Sequence, residues 1–166
     1  MHSKLFFLIG MLCLLLALNG PVQAASAPKV ASDFSAPDVS GTVRTLSSYR
    51  GRIVILNFWA TWCPECVREI PSLNAFAEAN KDVAVLGIAS ERDPDAIGKF
   101  LSSSTIKYPV IVDSTGELFV RKYMVRALPS TIIIDRKGYI AGLIIGAENF
   151  QSTGFRDRIK RLKESK

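Results

Sequence analysis

The stretch Ile53-Val54-Ile55-Leu56-Asn57-Phe58-Trp59-Ala60-Thr61-Trp62-Cys63-Pro64-Glu65-Cys66 decides the fold. Ile53 to Ala60 is nearly all apolar and rich in β-branched and aromatic side chains, as in a central strand covered on both faces. From Pro64 onward Val67, Ile70, Leu73, Asn74 and Ala77 fall near a 3.6-residue period. This predicts a helix that ends around Asn80-Lys81 and is kinked by Pro71. A strand that runs straight into a helix through Cys-x-x-Cys sets Cys63 exposed at the helix N-terminus and Cys66 one turn inside. The free N–H groups of the first turn and the positive end of the helix dipole favour a thiolate. Cys63 is therefore expected below the free-thiol pKa of about 8.5, and acts as nucleophile. Cys66 then resolves the mixed disulfide. Pro64 suits the first helical position, where a missing N–H costs nothing. Glu65 places a negative charge beside Cys63, which limits the fall in its pKa and tilts the pair toward a reductant. The competing reading is a permanent structural disulfide. A bridge across so short a loop restrains the unfolded chain very little, so redox chemistry is the better reading.

Working outward, Val83 to Ser90 reads as a second buried strand, and Asp93-Pro94 as an N-cap followed by proline at the first helical position. Ile97, Phe100 and Leu101 form the core face of that helix. Tyr108 to Val112 is a third strand, closed by the turn Asp113-Ser114-Thr115-Gly116 and followed by a short helix from Glu117 to Tyr123. Thr131 to Asp135 and Tyr139 to Ile145 flank Arg136-Lys137-Gly138 and read as an antiparallel hairpin. A last helix from Glu148 to Lys163 buries Phe155, Ile159 and Leu162. This order predicts an α/β domain: a mixed central sheet with helices on both faces.

The chain has 166 residues, 48% of them hydrophobic and 22% charged, which suits one packed domain. Met1 to Lys4 is short and basic, Leu5 to Leu18 is apolar without a charge, and Val22-Gln23-Ala24 supplies small residues for a signal peptidase. Residues 1–24 are therefore expected to be a signal peptide, 25–32 a flexible lead-in and 33–166 the domain. The apolar run is shorter than the roughly 20 residues a spanning helix needs. Membrane anchoring is the alternative if the signal stays uncleaved. Export places the protein in a periplasmic or other extracytoplasmic space.

Removing the leader removes His2 and Cys13, and with them any imidazole-based triad or His-ligated metal site. Two thiolates supply only half of a tetrahedral zinc shell, so no metal site is expected; a Cu(I) carrier is the weakest reading. The formal charge of +6 is spread along the chain rather than gathered into a stripe, which argues against a nucleic-acid partner. No Gly-x-Gly-x-x-Gly follows a strand, so no nucleotide cofactor is expected. Cys63 and Cys66 carry the redox chemistry alone.

Several blocks together resemble the exported thioredoxin-like proteins of the TlpA/ResA type. They are Ala36-Pro37-Asp38, Leu46-Ser47-Ser48-Tyr49-Arg50-Gly51-Arg52, Ile53 to Cys66, Tyr108-Pro109-Val110-Ile111-Val112-Asp113, and Ala127-Leu128-Pro129-Ser130-Thr131. The resemblance implies a thioredoxin-like fold with an extra strand-helix element around residues 106–123. It implies a cis Pro129 facing the cysteine pair, with the Leu128 backbone pairing with bound substrate. Glu69 matches a glutamate common in the family, where a partly desolvated carboxylate takes the Cys66 proton. An exposed Glu69 beside Arg68 is the alternative. Asn57 stands where cytoplasmic thioredoxin has a buried aspartate. Ala60 stands where peroxiredoxins have threonine, which argues against peroxide chemistry. Trp59 reads as a core aromatic and Trp62 as a rim aromatic, or as one that packs on substrate.

The protein is expected to be a monomeric reductant of protein disulfides; with no nucleotide motif, a membrane protein is expected as electron donor, and the resemblance implies apocytochrome c haem-site cysteines as the leading client. An oxidant or isomerase, or a peptide-binding module in which the disulfide is incidental, are the alternatives.

Overall fold

The structure, a computed structural model, describes residues 27–165. The expected leader lies outside the described residues. Five strands form one mixed sheet in the order β5-β4-β3-β6-β7, with β3 (Ile53–Trp59) at its centre. β4 (Val83–Ala89) lies parallel to β3, and β5 (Val110–Val112) lies parallel to β4. β6 (Ser130–Ile134) runs antiparallel to β3, and β7 (Ile140–Ile145) antiparallel to β6. A small hairpin of β1 (Ser35–Pro37) and β2 (Val43–Thr45) stands apart. The helices are α1 (Pro64–Ala79), α2 (Pro94–Ser103) and α3 (Thr153–Glu164), with short helical segments at Leu46–Tyr49 and Glu117–Lys122.

Every residue of β3 and β4 is buried, as their unbroken apolar runs require. Alternation along β3 divides the core in two. Ile53, Ile55 and Trp59 join Ile70, Leu73 and Phe76 of α1, Ile97 of α2, and Phe155 and Ile159 of α3. Val54, Leu56 and Phe58 face Phe34, Leu46, Leu118 and Tyr123. The helices thus cover the two faces unequally: α1 to α3 all feed one core, and the short segments close the other. Gly87, in the middle of β4, has a packing reason to lack a side chain. A Cβ there would lie 3.0 Å from Tyr108 Cε2 and 3.1 Å from Trp59 Nε1.

The structure differs from expectation at β5, at α3 and in the lead-in. β5 begins at Val110, because Pro109 lacks a donor and contributes only its carbonyl, which accepts from Gly87 N at 2.9 Å. α3 begins at Thr153 rather than Glu148. Asn149 Oδ1 accepts from Gln151 N in a side-chain turn, and Ser152 caps the helix by accepting from Phe155 N at 3.2 Å. α1 has the expected extent, with Pro71 inside it. The lead-in expected to be flexible is tied down from Lys29: Ile140 N donates to Lys29 O, Ala31 N donates to Gly138 O, and Ala31 is buried.

Candidate active site

β3 ends at Trp59 and the chain turns at Thr61 and Trp62 into α1, whose N-cap is Cys63. Cys63 Sγ accepts from Cys66 N at 3.3 Å, so the helix terminus itself supplies a donor to this sulfur. Cys63 and Cys66 form a disulfide, with S–S 2.16 Å and Cα–Cα 5.3 Å. Cys66 is fully buried. Cys63 is 6% exposed, less open than the sequence led us to expect, with its sulfur bonded back onto Cys66. Trp62 beside it is 67% exposed, whereas Trp59 is fully buried and tilted against Phe100 at 5.3 Å. Pro64 and Glu65 lie on the surface, where Glu65 pairs with Arg68. That cation offsets part of the negative charge that Glu65 brings to the helix N-terminus.

Glu69 is 4% exposed, which decides against the surface reading. One carboxylate oxygen accepts from Asn57 Nδ2 at 2.8 Å and the other from the backbone N–H of Glu148 at 3.0 Å. Asn57 Nδ2 also donates to Thr131 Oγ1 at 3.2 Å. Burial raises the Glu69 pKa and the nearby charge of Glu148 adds to it, while the two hydrogen bonds act in the opposite direction. Glu69 therefore holds a proton at higher pH than an ordinary glutamate. It sits one helical turn from Cys66 in the same α1 interior. Asn57 is a neutral donor that orients the carboxylate.

The Leu128–Pro129 peptide bond is cis. Phe58 of β3 pairs with Ser130 of β6, so Pro129 and the cysteines share one end of the sheet. Two further residues were not singled out from the sequence. Thr131 joins the Asn57–Glu69 network. Glu91, 5% exposed, accepts from Thr61 N and Thr61 Oγ1, both at 2.6 Å, and so fixes the turn that carries Trp62 and Cys63. The available signal was register. β3 pairs with β4 through Trp59 and Ala89, so the first acidic residue after β4 falls beside Thr61. Glu91 also lines a cleft of about 600 Å³ with Trp62, Arg92, Phe119 and Val120.

A buried cysteine at a helix N-terminus, its partner one turn inside, and a cis-proline at the same end of a mixed sheet define a thiol-disulfide oxidoreductase of thioredoxin fold. The model of the AhpC/TSA family matches residues 28–142. Thiol-disulfide oxidoreductase ResA of Geobacillus kaustophilus is 33% identical over 125 residues, 74% of this chain and 71% of that protein. Among solved structures, the thioredoxin-family thiol:disulfide interchange protein of Chlorobium tepidum matches with TM-score 0.70 and 27% identity, over 85% of this chain and 97% of that one. The exposed lipoprotein thioredoxin Etrx1 of Streptococcus pneumoniae matches with TM-score 0.68 and 30% identity, over 81% and 100%. The chain belongs to the AhpC/TSA family and, within it, to the thioredoxin-like TlpA/ResA type of thiol-disulfide oxidoreductases.

Proposed function

We propose that the protein is an extracytoplasmic reductant of protein disulfides. The observation that carries this reading is the buried Glu69 carboxyl, held by neutral donors one turn from Cys66. In the reduced protein the Cys63 thiolate attacks one sulfur of a client disulfide. A Cys63–client mixed disulfide forms, and the first client thiolate leaves and takes a proton from water. Glu69 then accepts the Cys66 proton, Cys66 attacks Cys63 Sγ, and the second client thiolate is expelled. The products are a client dithiol and the Cys63–Cys66 disulfide. Two electrons have left the pair, and a membrane donor protein returns them.

Leu128 supplies backbone for the client chain beside Pro129. No organic cofactor or metal takes part. Ala60, in place of a peroxidase threonine, supports disulfide rather than peroxide chemistry. The leading client is the haem-site cysteine pair of apocytochrome c. Residues 1–24 act as a cleaved export signal, and the mature chain is a monomer. The name of the similar pneumococcal protein, an exposed lipoprotein, supports an extracytoplasmic site. Among the described residues no helix is long and apolar enough to cross a membrane.

The test is a trap. Cys66→Ser in the native host leaves the mixed disulfide unresolved, so clients accumulate covalently on Cys63 and are identified by mass spectrometry. Recovery of apocytochrome c among them supports the reading. Attachment through another residue, or no exported client at all, contradicts it.

A further inference from the structure

Trp59 Nε1 and Tyr108 Oη are buried polar atoms with no hydrogen-bond partner among the described residues. A buried indole N–H or phenol hydroxyl ordinarily has a partner, so each calls for an explanation. The two are neighbours. A Cβ placed on Gly87 would lie 3.1 Å from Trp59 Nε1 and 3.0 Å from Tyr108 Cε2, the ring carbon next to the one that carries the hydroxyl. Both side chains belong to the core under α1 that also holds Cys63 and Cys66.

The same spot adjoins Glu69. Gly87 of β4 is paired with Asn57 of β3, and Asn57 Nδ2 donates to Glu69 Oε1 at 2.8 Å. Residues paired across a sheet stand on one face, and Asn57 shares the α1 face with Ile55 and Trp59 by alternation along β3. Burial pushes the Tyr108 phenol up and the charge of Glu69 adds to it, so the phenol keeps its proton and the two groups sense each other. An indole N–H can only donate, whereas a phenol can both donate and accept. One water bonded to both of these groups and to a carboxylate oxygen beyond them has the about three polar partners that a buried water takes.

We propose that Trp59 Nε1 and Tyr108 Oη hold one water beside Gly87, and that this water donates to the Glu69 carboxylate once Glu69 is ionised. Tyr108 is then a positioning residue that acts through Glu69. It sets the pH at which Glu69 becomes able to take the Cys66 proton. The other groups that face Glu69 are Asn57 from β3, the N–H and the charge of Glu148 ahead of α3, and Cys66 one turn away on α1. This rests on the role given to Glu69 in the disulfide-reductant reading and adds Trp59, Gly87 and Tyr108 to it. No covalent bond is made or broken at the water.

The test titrates Glu69 in the oxidised protein, where the two cysteines do not ionise. The carboxyl carbon of Glu69 is read by NMR and assigned by its loss in Glu69→Gln. Tyr108→Phe keeps the ring and removes only the hydroxyl. The expected result is a Glu69 midpoint about half a pH unit or more higher in Tyr108→Phe, because the ionised carboxylate loses a donor. Tyr123→Phe is the control: its hydroxyl donates to Ser32 O at 2.7 Å in the opposite core, and its removal should leave the midpoint in place. A high-resolution crystal structure of the oxidised protein should show the water within hydrogen-bond distance of Trp59 Nε1 and Tyr108 Oη. An unmoved midpoint in Tyr108→Phe overturns the proposal, as does an equal rise in Tyr123→Phe or a crystal structure with no water at that place. The pH limb of client release should move up together with the midpoint. If the midpoint moves and the limb does not, the water site stands and the role of Glu69 in release falls, a result distinct from an unmoved midpoint.

Discussion

Asp38 and Glu69 are buried carboxylates of nearly equal exposure, 7% and 4%, and their surroundings push them in opposite directions. Asp38 sits in the β1–β2 hairpin. It accepts from Ser40 Oγ at 2.5 Å, Ser40 N at 2.9 Å, Thr42 N at 3.1 Å and Arg44 Nε at 2.7 Å. The Ser40 hydroxyl first, and then the Arg44 guanidinium and the backbone donors, outweigh burial and hold its pKa down at about 2. Glu69 has an amide, one backbone N–H and no cation among the described residues, so burial dominates and its pKa rises. A carboxylate given a cation and a full set of donors is locked as an anion and serves the scaffold. One given neutral donors alone keeps a proton it can exchange, and here it lies one turn from a cysteine that must lose one.

The largest expected difference between the two is in chemistry. Glu69→Gln keeps the shape but cannot accept a proton. It should slow release of the second client thiolate by about 10²-fold, seen as accumulation of mixed disulfide in quenched single turnovers. Asp38→Asn should leave that step unchanged per folded molecule. If both variants slow release equally, the two carboxylates are not distinct in role.

Stability reverses the order. Asp38→Asn leaves Arg44 and the hairpin donors poorly matched and should cost about 1–3 kcal/mol in urea unfolding at neutral pH. Because the folded pKa of Asp38 is depressed, its contribution is present above the ordinary aspartate pKa and fades as the pH falls toward about 2. The Asn variant should therefore lose that acid-side decline. Glu69 has the opposite sign. Its raised folded pKa means that ionising it opposes folding, so Glu69→Gln should lose less stability than wild type as the pH rises above the ordinary glutamate range.

A third variant sharpens the comparison. The release step needs ionised Glu69, so its rate should rise with pH through a limb above the usual carboxylate range. Asn57→Asp puts a second carboxylate within hydrogen-bond reach of Glu69 and should move that limb further up; pH profiles of release in the two proteins check this. The smallest effect belongs to the exposed pair Glu65–Arg68. Arg68→Gln should change stability by about 0.5 kcal/mol or less, since surface pairs are worth little.

The strand–cysteine–helix unit was legible because its signals are local: an apolar run, a break, and a helical period. The position of Glu69 was not. Its burial is made by Asn57 on β3 and by the Glu148 backbone before α3, both remote in sequence from α1. Glu91 escaped for the same reason, since only the β3–β4 register brings it to Thr61. The start of α3 was misplaced because Glu148 suits a first helical turn by composition, while Asn149 and Ser152 hold the chain in a turn until Thr153.

The most direct test of the central claim is the reduction potential of the Cys63–Cys66 pair, measured by equilibration against thiol buffers of known potential. A buried carboxyl without a cation near it, and a helix N-terminus carrying Glu65, should leave the thiolate less stabilised than in a strong oxidant. The account predicts a value near or below about −250 mV, in the thioredoxin range. A value near about −120 mV, in the range of the oxidant DsbA, would contradict it and make the protein a disulfide donor.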